Sequence, residues 1–543
     1  MVACATTLAQ PAGNATRPNV LWIVADDLGY SDLGCFGGEA KTPNLDALAK
    51  DGARFTGMYN MARCCPTRAA LLTGLYPHQA GMGGMSEKSD KPGYLGHIKA
   101  EAPTVAEVLK TAGYRTAAFG KWHLANTLQR PDHMRDLNRQ DFPETFCPIE
   151  QYPTRRGFDV YWGGLWGLVN YYYPFALVDG ETPVKTIPEH FYITDAINDH
   201  AAAYIKENAA SKQPFFMYLA NNAPHWPLHA LPEDIAKYDG VYDAGFDAIR
   251  RARYDRMVKA GLIDPAIAPL PGTLGQGWAK LTPEAKRFQT ALFQTHAAMI
   301  DRMDQGLGKV FRALKDAGQW DNTLIIFLSD NGASGERYED PGFDRPTLAH
   351  DGQPINYHYD DLTRLAGGEQ TFYYIGRDWA NVANTPYRKS KMSQYNGGER
   401  TPMIVHWPAG LKLPGDSINT SRLHVLDLMP TTLELAGTKL PGSFAGQSPH
   451  ALQGVSLLPL LDGEKTIENY PAIFGEHEGG RSVITPDGFK LIRDRGEQAW
   501  HLYDLNHDQT ELNDLFAAQP DRAARMQAMW DKWAKQNNVF PKP

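Results

Sequence analysis

The chain reads as an α/β protein: a large, mostly parallel sheet sandwiched by helices, followed by a small C-terminal antiparallel sheet plus helix. Two observations lead there. Near-continuous apolar runs of strand length alternate with helical stretches, the pattern of parallel strands buried on both faces. The tail then switches to short alternating strands joined by turn sequences. At 543 residues the chain exceeds what one simple core holds, so a large unit over 18–465 and a smaller one over 466–543 are expected.

The elements follow in order. The stretch "NVLWIVADDLG" (19–29) predicts a buried strand ending in two aspartates and a glycine turn. "TPNLDALAKDGARF" (42–55) predicts a helix, with Pro43 near its start and Gly52 at its end. "TVAEVLKTAGYRTAAFGKWHLA" (104–125) gives helix, glycine turn, strand and a polar cluster at the strand's exit. "PFFMYLANNAPHWPLH" (214–229) is a strand running into a histidine-bearing loop. Residues 283–318 predict one long helix, and "NTLIIFLSDNGA" (322–333) another strand ending in acidic and amide groups. Polar residues gathering after successive strands mark the carboxyl edge, where open parallel sheets place their sites. In the tail, 471–515 alternates short strands with "PDG" and "DRGEQ" turns, and a helix is expected over about 519–537. The loop-rich segments 126–190 and 335–385 include the aromatic "YWGGLWGLVNYYYPF" (161–175). They read either as lining that faces a substrate or as ordinary packing beneath loops.

Composition excludes several classes. A net charge of −8 leaves no basic footprint for nucleic acid. No apolar run reaches the roughly 18–20 residues of a membrane span. The cysteines, Cys4, Cys35, Cys64, Cys65 and Cys147, are too scattered for a disulfide framework. Residues 1–17 read as disordered or as the residue of an export segment, rich in small side chains but without the charged and apolar regions of a signal peptide. Cys4 after Val-Ala is compatible with a trimmed lipoprotein site, which leans the location toward periplasm or secretion, with the cytoplasm as the alternative.

The strand ends supply the candidates for chemistry: Asp26 and Asp27, Lys121 and His123, His225, and Asp330 and Asn331. The Asp26, Asp27 and Asp330 carboxylates with the Asn331 amide oxygen form a hard, all-oxygen set suited to Ca2+ or Mg2+ rather than zinc. Taken singly, each acidic pair is more often a helix cap or Asx-turn. Recurrence along one sheet edge is what favours a site. Lys121 and His123 flank Trp122, so an extended backbone points both the same way. For His225 in "APHWP" the alternative is a structural imidazole between prolines, and for Lys391, before a Gly-Gly turn, a solvated lysine.

In "RCCPTRAALLTG" (63–74), Cys64 and Cys65 are poorly placed to bridge each other, and neighbouring cysteines rarely converge on one zinc. Arg68 lies one helical turn after Cys64, so the two share a face. A helix N-terminus favours an anion, and an adjacent arginine lowers a thiol's pKa. With a divalent cation and several Lys, His and Arg side chains, these residues describe a pocket for a tetrahedral oxyanion ester, sulfate or phosphate.

The run Cys64-Cys65-Pro66-Thr67-Arg68, continued by Leu71, Thr73 and Gly74, resembles the signature of the type I sulfatases, members of the alkaline-phosphatase-like superfamily. "PNVLWIVADDLGYSDLGCFGG", "TPNLDALAKDG", "GYRTAAFGKWHLA", "APHWPLHA", "DNTLIIFLSDNGA" and "WHLYDLNHDQTELNDL" resemble segments of that family in the expected order. "KPGYLGHI" (91–98) and the "ANTPYR…K…GGERTP" stretch look closest to bacterial arylsulfatases. The resemblance implies that Cys64 is converted to formylglycine by a formylglycine-generating enzyme, and that Asp26, Asp27, Asp330 and Asn331 bind Ca2+. It further implies that Arg68 holds the modified residue, Lys121 the sulfate and His123 the formylglycine hydroxyl, while His225 and Lys391 face the ester oxygen and sulfate. The implied reaction is attack on sulfur by one hydroxyl of the hydrated aldehyde, with His225, helped by Lys391, protonating the leaving group. His123 then deprotonates the second hydroxyl and sulfate is expelled. The substrate class would be a small sulfated phenol or a sulfated saccharide. Two positions depart from the pattern: Thr67 stands where serine is commonest, and Asn396 replaces a glutamate that often precedes the Gly-Gly turn. The competing readings are a phosphonate or phosphate ester hydrolase of the same superfamily and a non-catalytic binder of sulfated glycans.

Overall fold

The computed structural model describes residues 17–126, 146–167, 170–272, 277–339, 345 and 347–539. Residues 1–16 with Cys4, read as disordered or as a residual export segment, and residues 168 and 169 of the aromatic stretch lie outside the described residues. The large sheet uses β1 (Asn19–Ala25), β2 (Ala53–Tyr59), β3 (Arg115–Gly120), β4 (Val160–Gly164), β5 (Leu177–Asp179), β6 (Thr182–Pro183), β7 (Phe215–Ala220), β8 (Thr323–Ser329), β9 (Arg400–His406), β10 (Ser417–Asn419) and β11 (Leu423–His424). Their order is β10-β2-β9-β8-β1-β7-β3-β4-β5-β6, with β11 also pairing β2.

Residues of β1 show why the sheet is buried on both sides. Val20, Trp22 and Val24 enter one apolar core, while Leu21, Ile23 and Ala25 enter the other. A strand with two buried faces needs apolar residues at every position, which is what its sequence supplies. Helices α1 (Pro43–Asp51), α4 (Ile193–Glu207) and α5 (Pro283–Asp316) cover the second face, and α2 (Cys64–Thr73) with α3 (Val105–Thr111) covers the first. Thr104 caps α3 by accepting from the Glu107 N–H at 3.1 Å, and Glu107 returns the contact to the Thr104 N–H at 2.7 Å.

Several strands of the large sheet were not expected, among them β2, β9 and the short β4, β5, β6, β10 and β11. The helix read within 42–55 ends at Asp51, next to the Gly52 expected at its end, and Ala53 to Phe55 beyond it belong to β2. β9 lies between β2 and β8 and runs antiparallel to both. This reversal has a consequence for chemistry: the loop leading into β9 starts on the edge where β1, β3, β7 and β8 end.

The C-terminal sheet is an antiparallel meander of β12 (Ile473–His477), β13 (Gly480–Ile484), β14 (Phe489–Arg493) and β15 (His501–Asp504). Helix α6 (Pro520–Gln536) packs on it, with Trp533 stacked on Phe474 at 5.2 Å and the Trp530 indole donating to Gly475 O at 3.0 Å. A buried charge network ties this unit to the large one. Lys490 Nζ lies 2.8 Å from Glu399 Oε1 and 2.7 Å from Glu511 Oε1, and it donates to Asn396 Oδ1 at 2.9 Å. Asn396 therefore serves the junction. A glutamate there would crowd a third carboxylate onto one lysine. No helix among the described residues is long and apolar enough to cross a membrane.

Candidate active site

All the residues singled out at strand ends meet at one edge of the sheet, and all are buried. Asp26 and Asp27 leave β1, Lys121 and His123 leave β3, His225 follows β7, and Asp330 and Asn331 leave β8. Lys391 arrives on the loop that feeds the reversed β9. Asp27 and His123 hold positive φ, 64° and 57°, an arrangement that concentrates at functional sites. His123 thus departs from a fully extended Lys-Trp-His segment. Lys121 and His123 still turn inward, while the Trp122 indole donates to Gln151 O at 2.9 Å.

Cys64 opens α2, where the first N–H groups have no partner within the helix. Pro66 falls in that first turn, where a missing N–H costs nothing. The Thr67 hydroxyl accepts from the Met61 N–H at 3.0 Å, a contact a serine would make equally well. Cys64 Sγ lies 3.5 Å from His123 Nδ1. A hydrogen bond from Cys65, then the Lys121 and Lys391 ammonium groups with His123 between them in weight, hold the Cys64 thiol well below its ordinary range against the effect of burial. The expected lowering is present, but Arg68 is not among its chief causes. Arg68 is turned to the carboxylates: its Nε and an Nη each lie 2.8 Å from Asp330 Oδ2, and Asp26 Oδ1 is 3.8 Å away.

The acidic set is only partly compensated. Lys121 Nζ reaches Asp26 Oδ2 at 2.6 Å, Lys391 Nζ reaches Asp27 Oδ1 at 2.7 Å, and the Asn331 amide donates to Asp27 Oδ1 at 2.6 Å. Burial raises the Asp26 carboxyl, and burial with neighbouring Asp26 pushes Asp330 up to about 7 despite Arg68 and Lys121. Asp26 Oδ1 and Asn331 Oδ1 are buried acceptors with no hydrogen-bond partner. Orphaned hard oxygens beside strained carboxylates fit a hard divalent cation. A second donor cluster, Cys64, Cys65 and His123, has its ligand atoms within 4.8 Å of one another, closer than the adjacent cysteines led us to expect.

Burial lowers His123 and His225 to about 4 each, so both imidazoles rest neutral at neutral pH. His225 Nδ1 sits 2.5 Å from Trp226 O, which fixes the proton on Nδ1 and leaves Nε2 facing Asp27 Oδ2 at 3.6 Å. Gly167 lies flat on His123: a Cβ there would meet the ring Cε1 at 2.0 Å. Within the described part of the aromatic stretch, Tyr161, Trp162 and Tyr171 are packing residues, and the Tyr171 hydroxyl donates to Asn222 O and His225 O. Arg63 and Glu336, paired at 2.9 Å beside Cys64 and Lys391, were not singled out from sequence. The available signal was weak: an arginine directly before Cys64, and one acid in the small-residue loop after Asn331.

A family model described as Sulfatase matches residues 18–438. The chain belongs to the sulfatase family. A second model, N-sulphoglucosamine sulphohydrolase, C-terminal, matches residues 387–538 of this sulfatase. It is 35% identical over 463 residues to the arylsulfatase of Klebsiella aerogenes, covering 82% of this chain and 92% of the relative. An uncharacterized sulfatase of Schizosaccharomyces pombe is 33% identical over 559 residues, 97% of this chain and 95% of that one. Among solved structures, Ps i-CgsB in complex with k-i-k-neocarrahexaose superimposes with a TM-score of 0.66 at 27% identity, covering 96% of this chain and 94% of the other. The alkaline-phosphatase-like architecture expected from the sequence is the one observed.

Proposed function

We propose that this sulfatase hydrolyses sulfate monoesters of a phenol or saccharide, with Cys64 oxidised to formylglycine and Ca2+ held by Asp26, Asp27, Asp330 and Asn331. The observation that carries the reading is Cys64 at the α2 N-terminus, 3.5 Å from His123, on the edge that also bears Lys121, Lys391 and the orphaned oxygens. The units over 18–465 and 466–543 would then be the catalytic unit and its C-terminal support.

Bound Ca2+ supplies positive charge that draws electron density from the sulfuryl oxygens. Formylglycine supplies a hydrated aldehyde, one hydroxyl to attack sulfur and a second to release it. The chain's own residues do the rest. Lys121 and Lys391 hold sulfuryl oxygens, and Arg68 fixes the Asp330 side of the cradle. His123, neutral at rest, takes a proton at position 64. For His225 to give a proton to the leaving oxygen its imidazole must first be charged, which an anionic ester beside it favours. An aromatic wall of Trp226, Tyr338 and Tyr374 stands next to His225, with the Trp226 ring 4.5 Å from Tyr374 and 5.8 Å from Tyr338. Of the three, Tyr338 is the exposed ring, and its face suits a phenyl ring or a sugar, in keeping with an arylsulfatase relative and a carrahexaose-bound neighbour.

Peptide mass analysis of residues 63–74, combined with rates on sulfated phenols, sulfated sugars, phosphodiesters and phosphonates, tests this. An aldehyde at position 64 and faster cleavage of sulfate esters are expected. Faster cleavage of phosphonates or phosphodiesters transfers the assignment to that class, and ligand binding without turnover by the modified protein refutes hydrolysis.

A further inference from the structure

One buried carboxylate at the site has no part in the reaction above. Glu336 lies on the loop after β8, 8% exposed. Its Oε1 receives Arg63 Nη at 2.9 Å and the Tyr338 hydroxyl at 3.0 Å. Its Oε2 receives the Ser334 hydroxyl at 3.0 Å and lies 3.5 Å from Lys391 Nζ. Arg63 is the N-cap of α2, directly before Cys64, and Lys391 also contacts Asp27. Among the described residues Arg68 pairs with Asp330 and Asp26, Lys121 with Asp26, and Lys391 with Asp27, but the ion pair of Arg63 is with Glu336.

A sulfate pocket faces opposed demands. It must hold a singly charged ester and then release a doubly charged product. Coulomb attraction scales with ligand charge, so each uncompensated cation strengthens the grip on product more than on substrate.

We propose that Glu336 is a positioning residue that tempers the positive charge of the sulfate pocket through Arg63 and Lys391, so that product sulfate leaves. The proposal takes its ligand from the sulfatase reading. Burial pushes the Glu336 carboxyl up, but Arg63 and Lys391 hold it well below the usual carboxylate range, so its charge persists at working pH. Glu336 reaches the pocket from a different loop than either cation, and this lets one fixed charge act on both.

The test uses the matured full chain, with inorganic sulfate as probe, titrated calorimetrically at constant ionic strength. Glu336→Gln keeps an acceptor for Arg63 and Tyr338 but removes the charge. Its sulfate dissociation constant is expected to fall about tenfold, with a matching fall in the sulfate inhibition constant during aryl sulfate hydrolysis. Unchanged or weakened affinity overturns the proposal, because a carboxylate that only shapes its loop loses affinity when replaced. Arg63→Gln is the converse variant and decides the matter where Glu336→Gln does not fold. It leaves Glu336 less compensated and weakens sulfate by a similar factor, and an unchanged constant there also overturns the proposal. Calorimetry needs no turnover. A wild type that binds sulfate but hydrolyses no sulfate ester refutes the proposed function while leaving the Glu336 comparison readable, and a Glu336→Gln chain that binds sulfate no better than a wild type without detectable binding refutes the inference alone.

Discussion

Lys391 Nζ lies 2.7 Å from Asp27 Oδ1, across 364 residues of chain. The contact exists because β9 runs against its neighbours, so the loop before it opens onto the edge where β1 ends. One lysine thereby joins the anion-facing cations to the carboxylate set.

The two adjacent cysteines separate cleanly by substitution. Cys64→Ala is expected to abolish sulfate ester hydrolysis, since no other side chain at the α2 N-terminus replaces it. Cys65→Ala is expected to stay within several-fold of wild type, because Cys65 supplies a hydrogen bond to the thiol precursor rather than the nucleophile. Assay of both after confirming the mass of peptide 63–74 decides it, and residual turnover in Cys64→Ala sinks the formylglycine reading.

Removing divalent cations should destabilise the fold as well as silence it. Without a cation, Asp26 and Asp330 crowd each other in a buried site and two acceptor oxygens go unpaired. A cation bound well above its dissociation constant contributes about 3 kcal/mol. Chelation is therefore expected to lower the thermal midpoint, with Ca2+ restoring it, and Asn331→Ala to lower metal content. A midpoint indifferent to chelator contradicts the assigned ligands.

The junction between the two units rests on Lys490. Its ammonium is fully buried between Glu399 and Glu511, whose carboxyls burial raises, Glu399 to about 7. Removing one partner of a buried pair costs about 3–5 kcal/mol, because the remaining charges stay buried. Lys490→Met should lose that much in urea unfolding, and Lys490→Met combined with Glu511→Gln should recover part of it. A loss below about 1 kcal/mol would show that the network carries little of the docking.

Acid sensitivity should trace in part to His229. Its Nε2–H donates to Thr371 O at 2.8 Å and its Nδ1 accepts from the Tyr171 N–H at 3.4 Å, so the fold uses the neutral ring. Burial lowers its pKa from 6.5 to about 4. The folded state then binds fewer protons than the unfolded one between those values, and stability is lost as pH falls through that window, by about 3 kcal/mol at most. Asp304 and Asp427, pushed up to about 6 by burial, act in the opposite sense: their contribution is lost as pH rises toward 6. The variant isolates the histidine better than the raw profile does. His229→Gln should flatten the difference in urea stability between pH 7 and pH 5, and an unaltered difference refutes the assignment.

Much of the fold was legible because its strands are buried on both faces. β1, β7 and β8 carry near-continuous apolar runs and β3 a short apolar stretch after Arg115 and Thr116, and α1 and α5 end close to their predicted limits. β2 and β9 escaped because their sequences, "ARFTGMY" and "RTPMIVH", mix charged, small and apolar residues without a clear period. Arg54 and Arg400 tolerate burial there through partners on other segments, Asp416 and the Cys35 carbonyl for one, and the Thr56 carbonyl, Gln509 and a cage of Tyr30, Tyr59 and Tyr387 for the other.

The candidates for chemistry were legible in the sequence: Cys64, Arg68, the acidic strand ends and His123 by local pattern, His225 and Lys391 by resemblance to the sulfatases, and the structure buries all of them. What only the tertiary structure decided is which charge answers which. Arg68 turns to Asp330 instead of to Cys64, Lys391 is shared between Asp27 and Glu336, and Asn396 leaves the site for the junction. Local sequence dictates where a side chain is carried, because strands and helices have fixed periods. Charge pairing depends on distances between segments hundreds of residues apart, and those are set by strand order, by the reversed β9 and by the burial that makes an unpaired charge costly.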